Sequence, residues 1–597
     1  MLFFICIQRP IFILYNHKTS HEPISFRDIC QIYRYGYKTD MAVAAYLTTF
    51  PLILGWIHVL LPIFNPYIIF VVYEILCAIA VSLICVSDTA LYKFWQFKID
   101  KSVLVYLRNL KGAFASVSVW YLVIAFSFVA IIAAVYFLTM YYALAFSQEN
   151  IKNPWLHGFA EYIYVVLIGF VFIGLMFAAI RGINSRPNSP SIAYYSSNMF
   201  CNHAAINPVY SFIYSLSIKE EFKGKFEFFD NEACDNEARA LFPTSGHTVK
   251  KLLKTDRPNI VLIIWESLCE EYVEAIGGKK GVTDNITRLA KEGVLFTNMR
   301  ATSFRTDRGI VAILSGIIGQ PTTSLIKYTK KLPNIPALPR TLKSLGYSTT
   351  IMHGGDLSVL HKSDYYAASG MDNLIGQQDF SEKAPTCRWG IHDNYMFERL
   401  YDRVVDSPAS GAPWMITLQT LSSHQPFEVP YHRLDHKISN SYAFVDDAFG
   451  KFVDKLKKTP QWDNLLIIVT GDHGMNDNDV PLEHHQQSHI PLLMLGGAVK
   501  EPAIIDDIVC QTDIPATILG QMGVDHSDFP FSRDVTADTY TTPFAMHSFT
   551  DGFVFSDPTG YTEFDLISDK AIRNADTYRE HKGKTILQYL YSDLAKR

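Results

Sequence analysis

The chain has no cysteine pair at C-x-x-C spacing, no internal repeat, no low-complexity tract and no excess of positive charge. Each absence closes a class. Of the nine cysteines, Cys6, Cys30, Cys77 and Cys85 lie in or near the apolar N-terminal third, and Cys201, Cys234, Cys269, Cys387 and Cys510 are spread beyond it. Such scatter argues against a zinc ribbon and against a dense disulfide framework. Isolated buried thiols are expected, with one bridge left open. A net charge of -5 supplies no basic face, so no nucleic-acid partner is expected. No small-residue cleavage site follows the first apolar stretch, which argues against a cleaved signal peptide.

What is present divides the chain. At 597 residues it is too long for one ordinary domain. Residues 1–182 are dominated by apolar runs. Residues 183–257 form a polar connector with Asn-Pro and Ser-Pro turn signals and an amphipathic patch, Pro208 to Leu216. Residues 258–597 have the composition of a water-soluble domain. A bilayer-spanning helix needs about 20 mostly apolar residues. Met41 to Phe64, Tyr67 to Val86, Val117 to Phe146 and Tyr162 to Ile180 meet this. Leu2 to Tyr15, which is short and holds Arg9 and Pro10, brings the expected count to five.

Loop charge votes on orientation. Lys18, Arg27, Arg34 and Lys38 follow the first span; Lys93, Lys98, Lys101, Arg108 and Lys111 follow the third; Arg181 and Arg186 follow the last. Positive charge inside would place the soluble domain in the cytoplasm. Phe94 to Leu110 also reads as an amphipathic surface helix, whose basic residues would bind lipid headgroups instead.

From Asn259 the pattern turns to strand and helix in alternation. Ile260 to Trp265, Tyr347 to His353, Trp414 to Leu418 and Leu465 to Val469 read as buried strands. Ile286 to Glu292, Leu338 to Leu345 and Tyr442 to Lys457 read as helices. The expected fold is an α/β domain with a doubly wound, mostly parallel sheet. In such sheets ligands bind beyond the carboxyl ends of the strands. Those ends carry Glu266-Ser267, His353-Gly354-Gly355-Asp356, Ser422-Ser423-His424 and Thr470-Gly471-Asp472-His473-Gly474. Carboxylate oxygens with one imidazole suit Mn²⁺, Mg²⁺ or Zn²⁺. Ser303-Phe304-Arg305-Thr306-Asp307-Arg308-Gly309 leads into a short apolar helix. A hydroxyl there sits in a field that favours anions, and guanidinium groups on both sides match phosphate oxygens. Taken singly, each motif is also a turn, a cap or surface charge.

The combination resembles the lipoteichoic-acid-synthase-like branch of the alkaline phosphatase superfamily, the sulfatase-domain membrane proteins. The motifs are Asn-Ile-Val-Leu-Ile-Ile-Trp-Glu-Ser from Asn259, Ser-Phe-Arg-Thr-Asp-Arg-Gly from Ser303, Leu-Ser-Ser-His-Gln-Pro-Phe from Leu421 and Thr-Gly-Asp-His-Gly from Thr470. The resemblance implies that Glu266, Thr306, Asp472 and His473 bind one divalent metal, Mn²⁺ first, and that Thr306 is the nucleophile. It implies that His424 contacts phosphate or leaving group. His489, ahead of Ile490-Pro491-Leu492-Leu493, resembles a second-metal position of phosphoethanolamine-transferring relatives, which one-metal synthases do not need. His353 matches the first member of a His, Trp and Arg cluster for glycerol phosphate. Leu360 and Lys362 do not supply the rest, and Trp389, beside Arg388, is either an aromatic wall or a core tryptophan.

Sulfatases proper carry Cys or Ser followed by x-Pro-x-Arg. Here Thr306 precedes Asp307, Arg308, Gly309 and Ile310, which argues against sulfate-ester hydrolysis. The implied activity moves a phosphoglycerol or phosphoethanolamine headgroup from a membrane phospholipid to a glycan or lipid acceptor through a phosphothreonine. The implied place is the cytoplasmic membrane with the soluble domain outside, against the charge vote. Ester hydrolysis is the alternative. A transporter or sensor with an inert ligand-binding domain is another, supported only by Glu74 within a span and by Arg9 and Glu161 near span ends.

Overall fold

A computed structural model describes residues 3, 7–20, 23–61, 64–95, 97–101, 103–104, 118–150, 158–182, 190–193, 195, 198–217, 222–357, 359–381, 384–409, 411–475 and 484–597. They form two compact units divided at residue 220. The connector 183–257 is thereby shared between the two units.

In the first unit four helices are long and apolar enough to cross a bilayer: Phe26–Leu60, Tyr67–Trp95, Val119–Tyr142 and Ala160–Arg181. The fifth expected span, Leu2 to Tyr15, lies partly outside the described residues. Its described part holds the eight-residue helix Arg9–Asn16, which rises about 12 Å, well short of a bilayer core of about 30 Å. Arg9 is buried and does not face lipid. Its Nη1 and Nη2 donate to both oxygens of Asp40 at 2.6 and 3.0 Å, and Nε and Nη2 donate to the carbonyls of Ala204 and Ala205. A buried guanidinium is tolerated because its donors are met. Gly36 makes room for it: a Cβ there would lie 2.5 Å from Arg9 Nη2. The helix Phe26–Leu60 begins well before its apolar run because Ser25 and Asp28 form a capping box. This draws Arg27, Arg34 and Lys38 onto the helix instead of a loop. Lys98, counted above among the loop charges, is buried against Asp88 at 2.5 Å. Much of the expected surface helix Phe94 to Leu110 falls outside the described residues.

The second unit is built on a nine-stranded sheet. Its strands are β1 (Asn259–Trp265), β2 (Val294–Arg300), β3 (Ser348–His353) and β4 (Asn373–Ile375), then, after a small hairpin of β5 (Thr386–Cys387) and β6 (Gly390–Ile391), β7 (Trp414–Gln419), β8 (Leu465–Gly471), β9 (His489–Leu495), β10 (Ala503–Ile505) and β11 (Val509–Cys510). The order is β10-β2-β9-β8-β1-β7-β3-β4, with β11 also on β2. Every pairing is parallel except those of β9, which runs against both β2 and β8. All seven residues of β1 are buried. Alternation along the strand sends Ile260, Leu262 and Ile264 into one core and Val261, Ile263 and Trp265 into another. The helices Thr306–Ser315, Ile514–Gln521 and Thr577–Lys596 serve the first core; Asp393–Asp406 and Lys437–Leu456 serve the second.

Neither β2 nor β9 was read from the sequence. Pro491 within β9 disguised it, since proline lacks the amide that a central ladder needs. The structure accommodates it where the β2 register shifts between Phe296 and Met299. A second, antiparallel sheet was also missed: β12 (Ala545–Phe549), β13 (Gly552–Asp557), β14 (Gly560–Asp565) and β15 (Lys570–Arg573). Asp551-Gly552, a strong hairpin signal, was its visible mark. Arg533 ties this region down. It is buried, forks onto Asp513 at 2.7 and 3.0 Å, and donates to Phe544 O beside β12.

Candidate metal centre and its surroundings

The parallel register brings Trp265 of β1 opposite Gly471 of β8. The next residues, Glu266 and Asp472, therefore leave the sheet side by side. Glu266 N donates to Thr420 Oγ1 beyond β7 at 2.9 Å. Ser267 takes a left-handed conformation, φ 58°, uncommon for a residue with a side chain. That turn points its amide at Asp472 Oδ1, 2.7 Å away, and its hydroxyl at Glu266 Oε1, 2.8 Å away. The strain is compensated by two bonds that aim both carboxylates.

One ligand atom each from Glu266, Asp472 and His473 falls within a 4.8 Å cluster, and this is the group of metal-binding character found among the described residues. His473 Nδ1 donates to Gly474 O at 2.7 Å, so Nε2 is left to face the carboxylates, 3.6 Å from Glu266 Oε1 and from Asp472 Oδ2. A ligand imidazole is oriented in this way by a bond on its other nitrogen. Asp472 Oδ2 is buried and makes no hydrogen bond of ordinary geometry, although the Thr306 hydroxyl also bears on it. Burial and the adjacent Glu266 push the Asp472 carboxyl up to about 6. Burial opposes the charge on Glu266, but His424 and His473 outweigh it and hold that carboxyl below its ordinary value. For His473 burial is likewise outweighed, by Asp472 and Glu266, and its pKa is raised. Two carboxylates thus crowd one buried point that a divalent cation would neutralise, and the donor set fits one.

Thr306 opens the helix Thr306–Ser315. Its Oγ1 lies 3.3 Å from His473 Nε2 and 3.4 Å from Glu266 Oε2. What lets it approach is Gly309: a Cβ there would sit 2.0 Å from the carbonyl oxygen of Asp472. The first turn of the helix therefore rests directly on the end of β8. The arginines beside Thr306 differ. Arg308 is buried, donates from Nε to Thr323 O at 2.9 Å and lies over the Phe304 ring. Arg305 is half-buried and also lies near Phe304.

His424 and Trp389 form one wall. Their ring centroids are 4.4 Å apart, and Trp389 Nε1 and His424 Nδ1 both donate to Gln425 O, at 2.6 and 2.8 Å. This leaves His424 Nε2 as the nitrogen for a ligand. His353 is buried at the end of β3. Its Nδ1 donates to Gln419 O at 3.0 Å, and its Nε2 lies 3.5 Å from Lys362 Nζ. Burial, with Lys362 beside it, pushes His353 down to about 3. Lys362 is itself buried, which lowers its pKa, while Glu266, Asp472 and Asp307 act to keep it charged. His489 stands apart from the cluster, its Nε2 donating to Thr297 O of β2 at 2.7 Å.

One contributor was named in the sequence and set aside, and three more carried no sequence signal. Lys362 was set aside because it is not an arginine. Gln511 donates to Gly471 O and Asp472 O, both at 2.8 Å, and accepts from Thr302 N; a lone glutamine carries no sequence signal. His547 of β12 donates from Nδ1 to Ala301 O, and Ser548 donates from its amide to Thr302 O. The second sheet thereby braces the segment that leads into Thr306.

Comparison with known proteins gives this geometry a lineage. The family model described as Sulfatase matches residues 258–524. Phosphoglycerol transferase I of Xanthomonas campestris pv. campestris is 25% identical over 309 residues, 47% of this chain and 43% of that protein. The lipoteichoic acid synthase-like protein YvgJ of Bacillus subtilis is 23% identical over 344 residues, 51% of this chain and 54% of its own length. The chain thus spans about half the length of these curated relatives. Among solved structures, a protein of the alkaline phosphatase superfamily from Vibrio parahaemolyticus superposes with a TM-score of 0.53 at 24% identity, covering 62% of this chain and 96% of that one. The lipoteichoic acid synthase LtaP from Listeria monocytogenes gives 0.52 at 16% identity, covering 60% and 98%. Residues 258–524 therefore match the Sulfatase family model, on a fold shared with these two solved structures.

Proposed function

We propose that this chain is a membrane-anchored phosphotransferase. It moves a phosphoglycerol or phosphoethanolamine headgroup from a phospholipid to an extracytoplasmic glycan or lipid acceptor, through a phosphothreonine at Thr306. One observation carries the reading: a hydroxyl at a helix N-terminus lies within 3.4 Å of both Glu266 and His473, beside the buried Asp472 Oδ2, which makes no hydrogen bond of ordinary geometry. The relatives named phosphoglycerol transferase and lipoteichoic acid synthase-like support the reaction class.

Glu266, Asp472, His473 and Thr306 would hold one divalent ion, Mn²⁺ by preference, with Mg²⁺ and Zn²⁺ also suited to the donors. Such an ion acts as a Lewis acid on a phosphoryl oxygen and eases ionisation of a nearby hydroxyl. Thr306 Oγ forms a bond to phosphorus, the bond from phosphorus to the diacylglycerol oxygen breaks, and the threonine proton ends on the departing alcohol. His424 Nε2 would donate to that oxygen. An acceptor hydroxyl then bonds to phosphorus, the threonine ester breaks, and the acceptor proton returns to Thr306. The helix N-terminus and Arg305 would hold the phosphoryl oxygens, with Arg308 setting the loop through Thr323. Lys362 and His353 would face the headgroup, and Trp389 would support His424.

Two experiments test this reading. Full-length protein incubated with phosphatidylglycerol or phosphatidylethanolamine and Mn²⁺ should release diacylglycerol, and mass spectrometry should find the headgroup phosphate on an added acceptor. Intact phospholipid throughout would reject the transferase, and release of headgroup phosphate to water alone would favour the hydrolase. On intact cells with any outer membrane opened, an impermeant protease should cut the domain. Protection until the inner membrane is lysed would uphold the loop-charge vote instead.

A further inference from the structure

Between the end of β7 at Gln419 and His424 the chain must hold one imidazole in place, and its hydrogen bonds can be followed residue by residue. Thr420 N still donates to Ile264 O of β1. The next two amides are taken by a single side chain, Asp393. Leu421 N lies 3.1 and 3.0 Å from its two carboxylate oxygens, and Ser422 N donates to Oδ2 at 2.6 Å. The Ser422 hydroxyl returns the bond by accepting from Asp393 N at 2.9 Å. Ser423 Oγ then donates to Glu266 O at 2.7 Å, and His424 N closes the turn on Leu421 O at 3.0 Å. The turn that presents His424 and the backbone of a candidate metal ligand thus share one frame.

Asp393 is a costly choice for this task. It opens the helix Asp393–Asp406, yet its carboxylate reaches across to the turn after β7. It is fully buried, and burial pushes its carboxyl up to about 6 against the pull of the Ser422 and Leu421 amides. A buried carboxylate is tolerated only where donors meet its oxygens, and here the donors are the backbone of that turn. An ionised carboxylate accepts at both oxygens and offers no donor. It therefore suits two adjacent amides that an asparagine would partly repel.

We propose that Asp393 is a positioning residue for the departing alcohol: it fixes the turn 421–424, and through that turn the place of His424 Nε2 beside the metal centre. The proposal rests on the transfer reading above for what leaves, and its test uses synthetic diesters as well as phospholipid so that the two can fail separately.

The test varies the leaving group. A 4-nitrophenoxide spreads its charge and departs without help, whereas an alkoxide needs a donor. Full-length protein in detergent with Mn²⁺ is given the 4-nitrophenyl and hexyl diesters of glycerol phosphate, with phosphatidylglycerol in a parallel assay. Asp393→Asn keeps the shape of the side chain but turns an amide toward an amide. It should raise the ratio of aryl to alkyl turnover by about 100-fold, the low end of what a placed proton donor contributes. Ser422→Ala removes the returning bond and should move the ratio the same way by about fivefold, the worth of one hydrogen bond. Asp393→Asn combined with His424→Gln should be no slower on the hexyl ester than His424→Gln alone, because a residue that acts through another adds nothing once that one is gone. Wild-type ratios in folded variants, a double variant slower than His424→Gln, or no cleavage of either ester by wild type overturns the proposal. A shifted ratio in an enzyme that leaves phosphatidylglycerol intact upholds the proposal and rejects the phospholipid as donor.

Discussion

Thr306→Ala should lower phospholipid turnover by on the order of 10³-fold or more, the scale seen when a nucleophile is lost. The argument is geometric. Thr306 Oγ1 sits 3.4 Å from Glu266 Oε2 and 3.3 Å from His473 Nε2, at the first position of a helix whose free amides favour an anion. Alanine is well tolerated in a helix, and Thr306 is only half-buried, so the fold should survive. Thr306→Ser keeps the hydroxyl and should keep part of the activity. Diacylglycerol release gives the rate, and intact-protein mass spectrometry followed by peptide mapping locates the adduct. An alanine variant as active as wild type would reject the mechanism, and an adduct on another residue would relocate it.

Loss of metal is the second large effect expected. Glu266→Ala, Asp472→Ala and His473→Ala should each weaken metal binding by about 100-fold or more, since disturbing even the partners of metal ligands costs up to that much. The physical reason lies in the crowding of two buried carboxylates. Without a cation, burial and Glu266 push the Asp472 carboxyl up to about 6. With one, their mutual repulsion becomes attraction to a shared charge. Elemental analysis of purified protein should show near-stoichiometric metal in wild type and little in the three variants. Metal should also raise the melting temperature of wild type, because a ligand that binds only the native state stabilises it by about 2.7 kcal/mol at 100 times Kd. Metal content near wild type in all three variants would refute the centre.

The two expectations differ in how they could be reached. Glu266, Asp472 and His473 were visible as polar residues directly after apolar strands, because strand ends in such sheets are where ligands bind. Local pattern could not show that β1 and β8 are neighbours, and only that pairing puts Glu266 against Asp472. Gly309 stood in a quoted motif, but its purpose is a contact with the backbone of Asp472, more than 160 positions away. Lys362 was visible and discounted. Burial beside His353 is a property of packing, and no spacing rule reports it.

The same divide runs through the fold. The amino-acid order alone determined the apolar helices, the buried strands β1, β3, β7 and β8, and the helices between them, because hydrophobic periodicity and length act locally. It did not determine β9, where Pro491 forbids a regular ladder and only a register shift in β2 makes room. Nor did it determine the burial of Arg9, whose charge is acceptable only once Asp40 and two carbonyls from residues 204 and 205 surround it. Local chemistry chose the elements and the candidate ligands. Long-range contacts chose which ligands meet, since the pairing of distant strands and the satisfaction of buried polar groups exist only after the chain has packed.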